Sequence, residues 1–425
     1  MSRFWYLLNL AGKSAWNRKS TLALVVFAIA ISTTLLIGIE RVRSQLRQSF
    51  IQAISGTDLI VGARGHDLQL ILYSVFHLGS ATNNMGWESA QRVAARDDVA
   101  WAVPISLGDT YRGFFPVVGT TQDYFKYYRY QRNRELQFAQ GKPFDDMFDV
   151  VLGAGVARQT GHALGSRLTL TCGTVVSGGA IEHHNLPFTV TGILARTGTP
   201  VDTSLYIGLD GFEALHLGWQ GGMPIPGLVI QPEHVTRFDL TPKSVTALFV
   251  GLKNRARVFA VQRDINTDTQ EALMGVMPGV ALDQLWGMLN TGETALLLIS
   301  GLVTVAGLAG LASAIMAGLG ERRRELAIFR SSGASPKDVV TLLALEGMLL
   351  MLTGVLIGLA ALFAFIAWLG PVLAQSYGIG LYLTPLTSGE WTLLGGIVAA
   401  GFLTSLIPAL RAYRMSLADG LTVST

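Results

Sequence analysis

Charge is what this sequence has least of: 14% of its 425 residues are Asp, Glu, Lys or Arg, where soluble domains carry roughly a quarter. A chain so poor in charge, and 50% hydrophobic, must place apolar surface somewhere other than a single water-soluble core. Cysteine is scarcer still. Cys172 stands alone, which excludes an intrachain disulfide and a cysteine-based metal site. The motifs of phosphate and hydrolytic chemistry are missing too. "GKS" at Gly12 to Ser14 invites a P-loop reading, but a Walker A motif needs a glycine where Leu7 stands, and no strand precedes it. Neither G-x-S-x-G nor H-E-x-x-H occurs. The chain is therefore expected to be no enzyme in itself, with no ATPase of its own, and nothing in it points to nucleic acid.

Long apolar runs are what it does have. Residues 21–39, "TLALVVFAIAISTTLLIGI", carry no charge and at 1.5 Å per residue reach about 28 Å, the thickness of a bilayer's hydrocarbon core. Three more follow at 294–319, 347–369 and 391–409. The first is too long for a signal peptide's apolar region and no small-residue cleavage site follows it, so it reads as an uncleaved anchor. Basic residues set the orientation. Arg3, Lys13, Arg18 and Lys19 precede the first span, Arg322, Arg323, Arg324, Arg330 and Lys337 lie between the second and third, and Arg411 and Arg414 follow the fourth. The loop 370–390 has no Lys or Arg. Both termini (1–20, read as an interfacial helix, and the tail 410–425) and the hinge 320–346 are expected in the cytoplasm of a multi-pass inner-membrane protein. Residues 40–293 then form the only large domain, outside.

The spans hold no ionisable residue at mid-depth, with Glu346 near one end, which argues against an ion-coupled pathway. Small residues recur at four-residue spacing. Ala306, Gly310, Ala314 and Gly318 line one face of the second span, with Gly354 and Gly358 in the third and Gly396 and Ala400 in the fourth. Such stripes allow close helix approach, within one chain or between two copies.

The hinge "GERRRELAIFRSSGASPKDVV" (320–340) reads as helix, sharp turn, helix. Leu326 and Phe329 share a helical face. Gly333 fits a left-handed C-cap, Ser335 an N-cap, Pro336 the first helical position and Asp338 the acid three residues after the cap. A rigid elbow offering an apolar tip ringed by arginine to a cytoplasmic partner is the sharper reading, and a solvated loop the plainer one.

At 321–360, "ERRRELAIFRSSGASPKDVVTLLALEGMLLMLTGVLIGLA" resembles the signature of the MacB/FtsX-type ABC-transporter permeases, with its E-R-x-x-E-[IL] segment, G-A-S/T turn and L-x-E-[GA] start of the third span. "IPALRAYRMSLADGL" (407–421) resembles the family's ending, without the usual proline in 417–421. "FFPVVGTTQDYFKYY", "VVLGAGVARQTGHALGSRLTL" and "PFTVTGILARTGTPVDTSLYIGLDGFEAL" are similar to the family's ectodomain strands. The resemblance implies a four-span protein with a large α+β extracytoplasmic domain between spans one and two. It also implies a dimer with itself or a related permease, and two copies of a separate cytoplasmic ABC ATPase, which would hold ATP and Mg while this chain binds no cofactor. A periplasmic adaptor or binding protein is a further possible partner. Carried over by residue, the coupling contacts are Glu321, Arg322, Glu325, Leu326, Phe329, Gly333, Ala334 and Ser335.

Outside the membrane, runs such as "DLIVGAR", "WAVPISL", "SRLTLTC", "TSLYIGL" and "PGLVIQP" read as strands, while "SAQRVAARDD" and "TALFVGLKNRARVFAVQRDINT" (246–267) read as helices. Two lobes are expected; the resemblance implies that one is an insert, roughly 150–227, and that a stalk helix, roughly 270–293 and kinked or begun at Pro278, leads into the second span. His66, and Glu182 with His183 and His184, are weak candidate ligands for a divalent metal, and a solvated loop explains them as well. Two functions stay open: a permease that moves a periplasmic or lipid-linked cargo, and a mechanotransmitting regulator of a periplasmic enzyme.

Overall fold

The computed structural model describes residues 19–79, 83–131, 133–172, 181–220, 223–225, 230–321, 328, 331, 333–376 and 383–413. The chain divides into two compact units, one of Met1–Gln45, Asn290–Pro371 and Leu381–Thr425, the other of Leu46–Leu289 and Val372–Gly380.

The first unit contains four helical segments long and apolar enough to cross a membrane: Leu22–Gln45, Asn290–Leu319, Pro336–Gly370 and Ser388–Tyr413, spans 1 to 4. Three belong to longer helices, Lys19–Ala53, Pro278–Glu321 and Pro336–Ser376. Their shared core is aliphatic, built from Ile29 and Ile37 of span 1, Leu311 and Ile315 of span 2, Leu343 and Met351 of span 3 and Leu394 and Ile397 of span 4. The interfacial helix expected within 1–20 lies outside the described residues up to 18.

The second unit is built on a ten-stranded sheet. Its strands are β1 (Leu59–Ala63), β2 (Val99–Tyr111), β3 (Phe115–Thr120), β4 (Phe138–Gly141), β5 (Asp149–Leu152), β6 (Arg167–Cys172), β7 (Ile181–Leu194), β8 (Leu205–Gly208), β9 (Ala247–Leu252) and β10 (Leu273–Val276). The order is β10-β1-β9-β2-β3-β8-β5-β7-β4, and β6 pairs with both β7 and β2. The pairings β2–β3, β3–β8, β8–β5, β5–β7, β7–β6 and β6–β2 thus run in a ring. Strands covered on both sides read as continuous apolar runs, and their residues alternate between cores. Val150 and Leu152 enter one cluster with Phe188 and Ile207, while Val151 enters another with Tyr206 and Val118. The long strand β2 belongs both to this ring and to the half-sheet β10-β1-β9, which the helices Trp87–Ala94 and Val258–Asn266 cover through Val93, Val261 and Ile265.

Two expectations need correction. The segment 246–267 is not one helix: Ala247–Leu252 is β9, and the helix begins at Val258. β9 lies between β1 and β2 with every residue buried. A Cβ on Gly251 would sit 2.1 Å from the Trp101 indole nitrogen, so the strand passes there only as glycine. The stalk helix does not begin at 270, because 273–276 is edge strand β10 and the helix starts at Pro278, where a missing N–H costs nothing. Of "PGLVIQP", 226–229 lie outside the described residues, and Pro232–Val235 is a helical turn.

Candidate functional site

The turn between spans 2 and 3 is the first candidate. Span 2's helix ends at Glu321. Arg322, Glu325, Leu326 and Phe329 lie outside the described residues, as does the side chain of Glu321. Ile328 is exposed, and Ser331 Oγ donates to its carbonyl at 2.8 Å. Gly333 stands at φ +102°, a conformation that a Cβ makes costly. Ala334 follows, and Ser335 then begins the next helix. Its N–H and Oγ donate to Asp338 Oδ2 at 2.8 and 2.7 Å, and the Asp338 N–H donates to the Ser335 carbonyl at 2.9 Å. Pro336 opens span 3's helix. The reversal is therefore fixed by local chemistry at both Gly333 and Ser335.

Glycine sets how closely the spans pack. An added Cβ would lie 2.6 Å from Ile29 Cγ2 at Gly354 and 2.6 Å from the Ala30 carbonyl oxygen at Gly358, so spans 1 and 3 touch backbone to backbone. Between spans 3 and 4 glycine makes room for side chains instead, Gly347 for Ser405 and Gly401 for Met351. On span 2 the packed face is Gly307, Leu311 and Ile315. Gly318 is buried and Ala314 half-buried, whereas Ala306 and Gly310 are exposed, with no atom within 4 Å of a Cβ on Gly310. The small-residue stripe thus divides into a packed end and an open end.

Sequence reasoning missed a buried ion pair. Arg41 Nε donates to Glu390 Oε1 at 2.8 Å and Nη2 donates to Oε2 at 3.1 Å, with the two side chains 1% and 0% exposed. Nη2 also donates to the Thr384 and Pro385 carbonyls, and the guanidinium lies 5.1 Å from the centre of the Phe363 ring. Thr387 and Glu390 cap the span 4 helix reciprocally, the Thr387 N–H donating to Oε2 at 2.8 Å. The T-S-G-E run at 387–390 is a capping-box pattern legible in the sequence. Only its partner across 349 residues was not. The pair ties the end of span 1 to the start of span 4.

The α+β unit holds a buried polar and aromatic knot around "TGTPVDTS". Asp202 accepts from the Thr197 N–H and Oγ1 and from the Gly198 N–H, each at 2.8 Å. Tyr124, Tyr128 and Tyr206 stack nearby, and Tyr128 donates to the Ala53 carbonyl. Burial raises all three phenols above their ordinary range. His77 Nδ1 lies 2.9 Å from Ser204 Oγ, and burial pushes the imidazole down to about 4, so it stays neutral. Ser204 is fully buried, which makes the pair a structural contact rather than a nucleophile and its base. Of the metal candidates, His66 caps the helix Asp67–Ser74, its Nδ1 accepting from the Leu68 N–H at 3.3 Å. Glu182, His183 and His184 stand in β7, and their side chains lie outside the described ones. Among the described residues no three His, Cys, Asp or Glu side chains group as a metal site.

A four-span unit with an α+β unit between its first two spans defines the class. The MacB-like periplasmic core domain family matches residues 22–268, more than half of the chain, and the FtsX-like permease C-terminal family matches residues 297–417. The chain belongs to the MacB/FtsX-type permeases of ABC transporters. Among solved structures, the periplasmic region of MacB from Actinobacillus actinomycetemcomitans is similar at TM-score 0.34 and 12% identity, over 57% of this chain and 98% of that one. The extracellular domain of the noncanonic ABC-type transporter YknZ from Gram-positive bacteria is similar at TM-score 0.30 and 13% identity, over 52% and 98%. No curated protein sequence matches the chain.

Proposed function

We propose that this permease is driven by a separate cytoplasmic ABC ATPase, bound in two copies at the hinge 320–346, and that the drive is mechanical. Closure of the ATPases tilts the Gly333 elbow, and span 2 carries the displacement to the α+β domain, which exports or extracts a periplasmic or lipid-linked cargo. One observation carries this reading. Pro278–Glu321 is a single helix of 44 residues, about 66 Å long, whose first turns bury Ala281 and Leu282 in the core of the α+β unit. Its later turns bury Leu311, Ile315 and Leu319 in the core of the membrane unit. In this reading that helix is the path of the stroke.

The contacts proposed for the ATPase are Glu321, Arg322, Glu325, Leu326, Phe329, Gly333, Ala334 and Ser335, with both termini on that same side of the inner membrane. The open face at Ala306 and Gly310 is proposed to meet a second copy or a related permease. ATP and Mg belong to the ATPase. The test is a Phe329→Asp protein purified with its ATPase: it should insert normally yet fail to stimulate ATP hydrolysis, and unchanged stimulation refutes the docking site. A mechanotransmitting regulator without cargo uses the same machinery, and reconstituted transport assays separate the two.

A further inference from the structure

Two arginines two residues apart on a helix face different ways, and in "ERVR", Glu40 to Arg43, each finds a carboxylate on a different span. Arg41 meets Glu390 of span 4, sealed from solvent. Arg43 Nε donates to Glu293 Oε2 of span 2 at 2.6 Å, and its Nη1 donates to Glu40 Oε2 of its own helix at 3.2 Å. This second pair is 30% and 18% exposed.

The difference in exposure decides which pair can open. Separating Arg41 from Glu390 would leave two charges buried without each other, so that pair stays closed. Separating Arg43 from Glu293 leaves both side chains within reach of water, and Arg43 keeps Glu40 as a second partner. Within the chain span 2 is the least enclosed of the four, and among the described residues no atom lies within 4 Å of a Cβ on Gly292, beside Glu293.

We propose that Arg43–Glu293 is a breakable clamp between spans 1 and 2, with Arg41–Glu390 as its permanent anchor to span 4. At rest the clamp holds the root of span 2. During the stroke Glu293 leaves, and Arg43 falls back on Glu40. The proposal rests on the mechanical coupling proposed above and names the residues that set its resting state.

The test uses the full chain with its ATPase in lipid nanodiscs, with Cys172→Ser as the parent. Arg43→Cys and Glu293→Cys together are joined by a short bismaleimide whose spacer a reductant cleaves. Joined, the complex should lose most of its stimulated ATP hydrolysis, and cleavage should restore it. Glu293→Gln should raise the resting rate by about two- to fivefold, the range an ion pair of this exposure allows, and Glu40→Gln, which removes the fallback partner, should lower the stimulated rate by a similar factor. Opposite effects from two neighbouring acid-to-amide changes would not come from a merely structural role. A joined protein that turns over at the unjoined rate, or two amide variants that shift together or not at all, overturns the clamp. If the unmodified chain does not stimulate the ATPase, the coupling reading itself fails and the clamp with it.

Discussion

Gly358→Ala places a methyl 2.6 Å from the Ala30 carbonyl oxygen and 2.9 Å from Thr33 Cβ. The carbonyl belongs to span 1's backbone and cannot rotate away, so the spans must part. Overpacking of this kind costs about 1–3 kcal/mol. Parting also stretches the bond from Thr34 Oγ1 to the Gly358 carbonyl, 2.9 Å long, and interhelical hydrogen bonds in membranes average about 0.6 kcal/mol. A total loss of about 2–4 kcal/mol follows. Gly310 is the internal control, because a methyl there meets nothing within 4 Å and should change stability by less than about 0.5 kcal/mol in monomeric micelles. Unfolding titrated with SDS and followed by tryptophan fluorescence reads both variants under one condition. A Gly358→Ala protein within about 0.5 kcal/mol of the parent would refute the backbone contact between spans 1 and 3.

Glu390→Gln leaves Arg41 buried beside a neutral amide and should cost about 3–5 kcal/mol in the same titration, with Arg41→Leu/Glu390→Leu costing less than the single change; a double variant worse than the single one contradicts the pairing. His77 is held down to about 4 in the folded state against 6.5 when free, so the unfolded chain binds the extra proton between those values. Ectodomain stability should therefore be level above pH 6.5 and fall as pH drops towards 4, and His77→Asn should flatten that slope; a slope of the opposite sign sinks the assignment. In intact cells lacking Cys172, an impermeant thiol reagent should label a cysteine at Lys253 and spare one at Ser335. Labelling of both would overturn the four-span orientation.

Much of this architecture was legible because membranes impose simple rules. An uncharged run such as 294–319 has one common explanation, and the residues Gly333, Ser335, Pro336 and Asp338 spell a turn by local chemistry alone. β1, β3 and β8 were legible as short apolar runs for the same local reason. What failed was long-range. "ALFVGL" runs into a following helix without a break in pattern, because periodicity does not separate a buried strand from a buried helix segment over six residues. "LMGV" became the edge strand β10 through pairing with β1, a partner more than 200 residues away, as the register Ile60 to Val276 shows. Arg41 and Glu390 each look like ordinary charges at the end of a span, and only the packing of spans 1 and 4 brings them together. Glu40, Arg43 and Glu293 were likewise legible as a boundary but not as a contact.

The central claim is that force passes through the Gly333 elbow, and Gly333→Val tests it most directly. The residue sits at φ +102°, where a β-branched side chain is strained, at a cost of about 1–2 kcal/mol, so the elbow must change its angle with no change of charge. The measurement is ATP hydrolysis by the partner ATPase, alone, with the parent chain and with the Gly333→Val chain, at matched amounts of inserted and bound protein. At those matched amounts the account predicts stimulation by the parent and little or none by the variant. Full stimulation by Gly333→Val would contradict it.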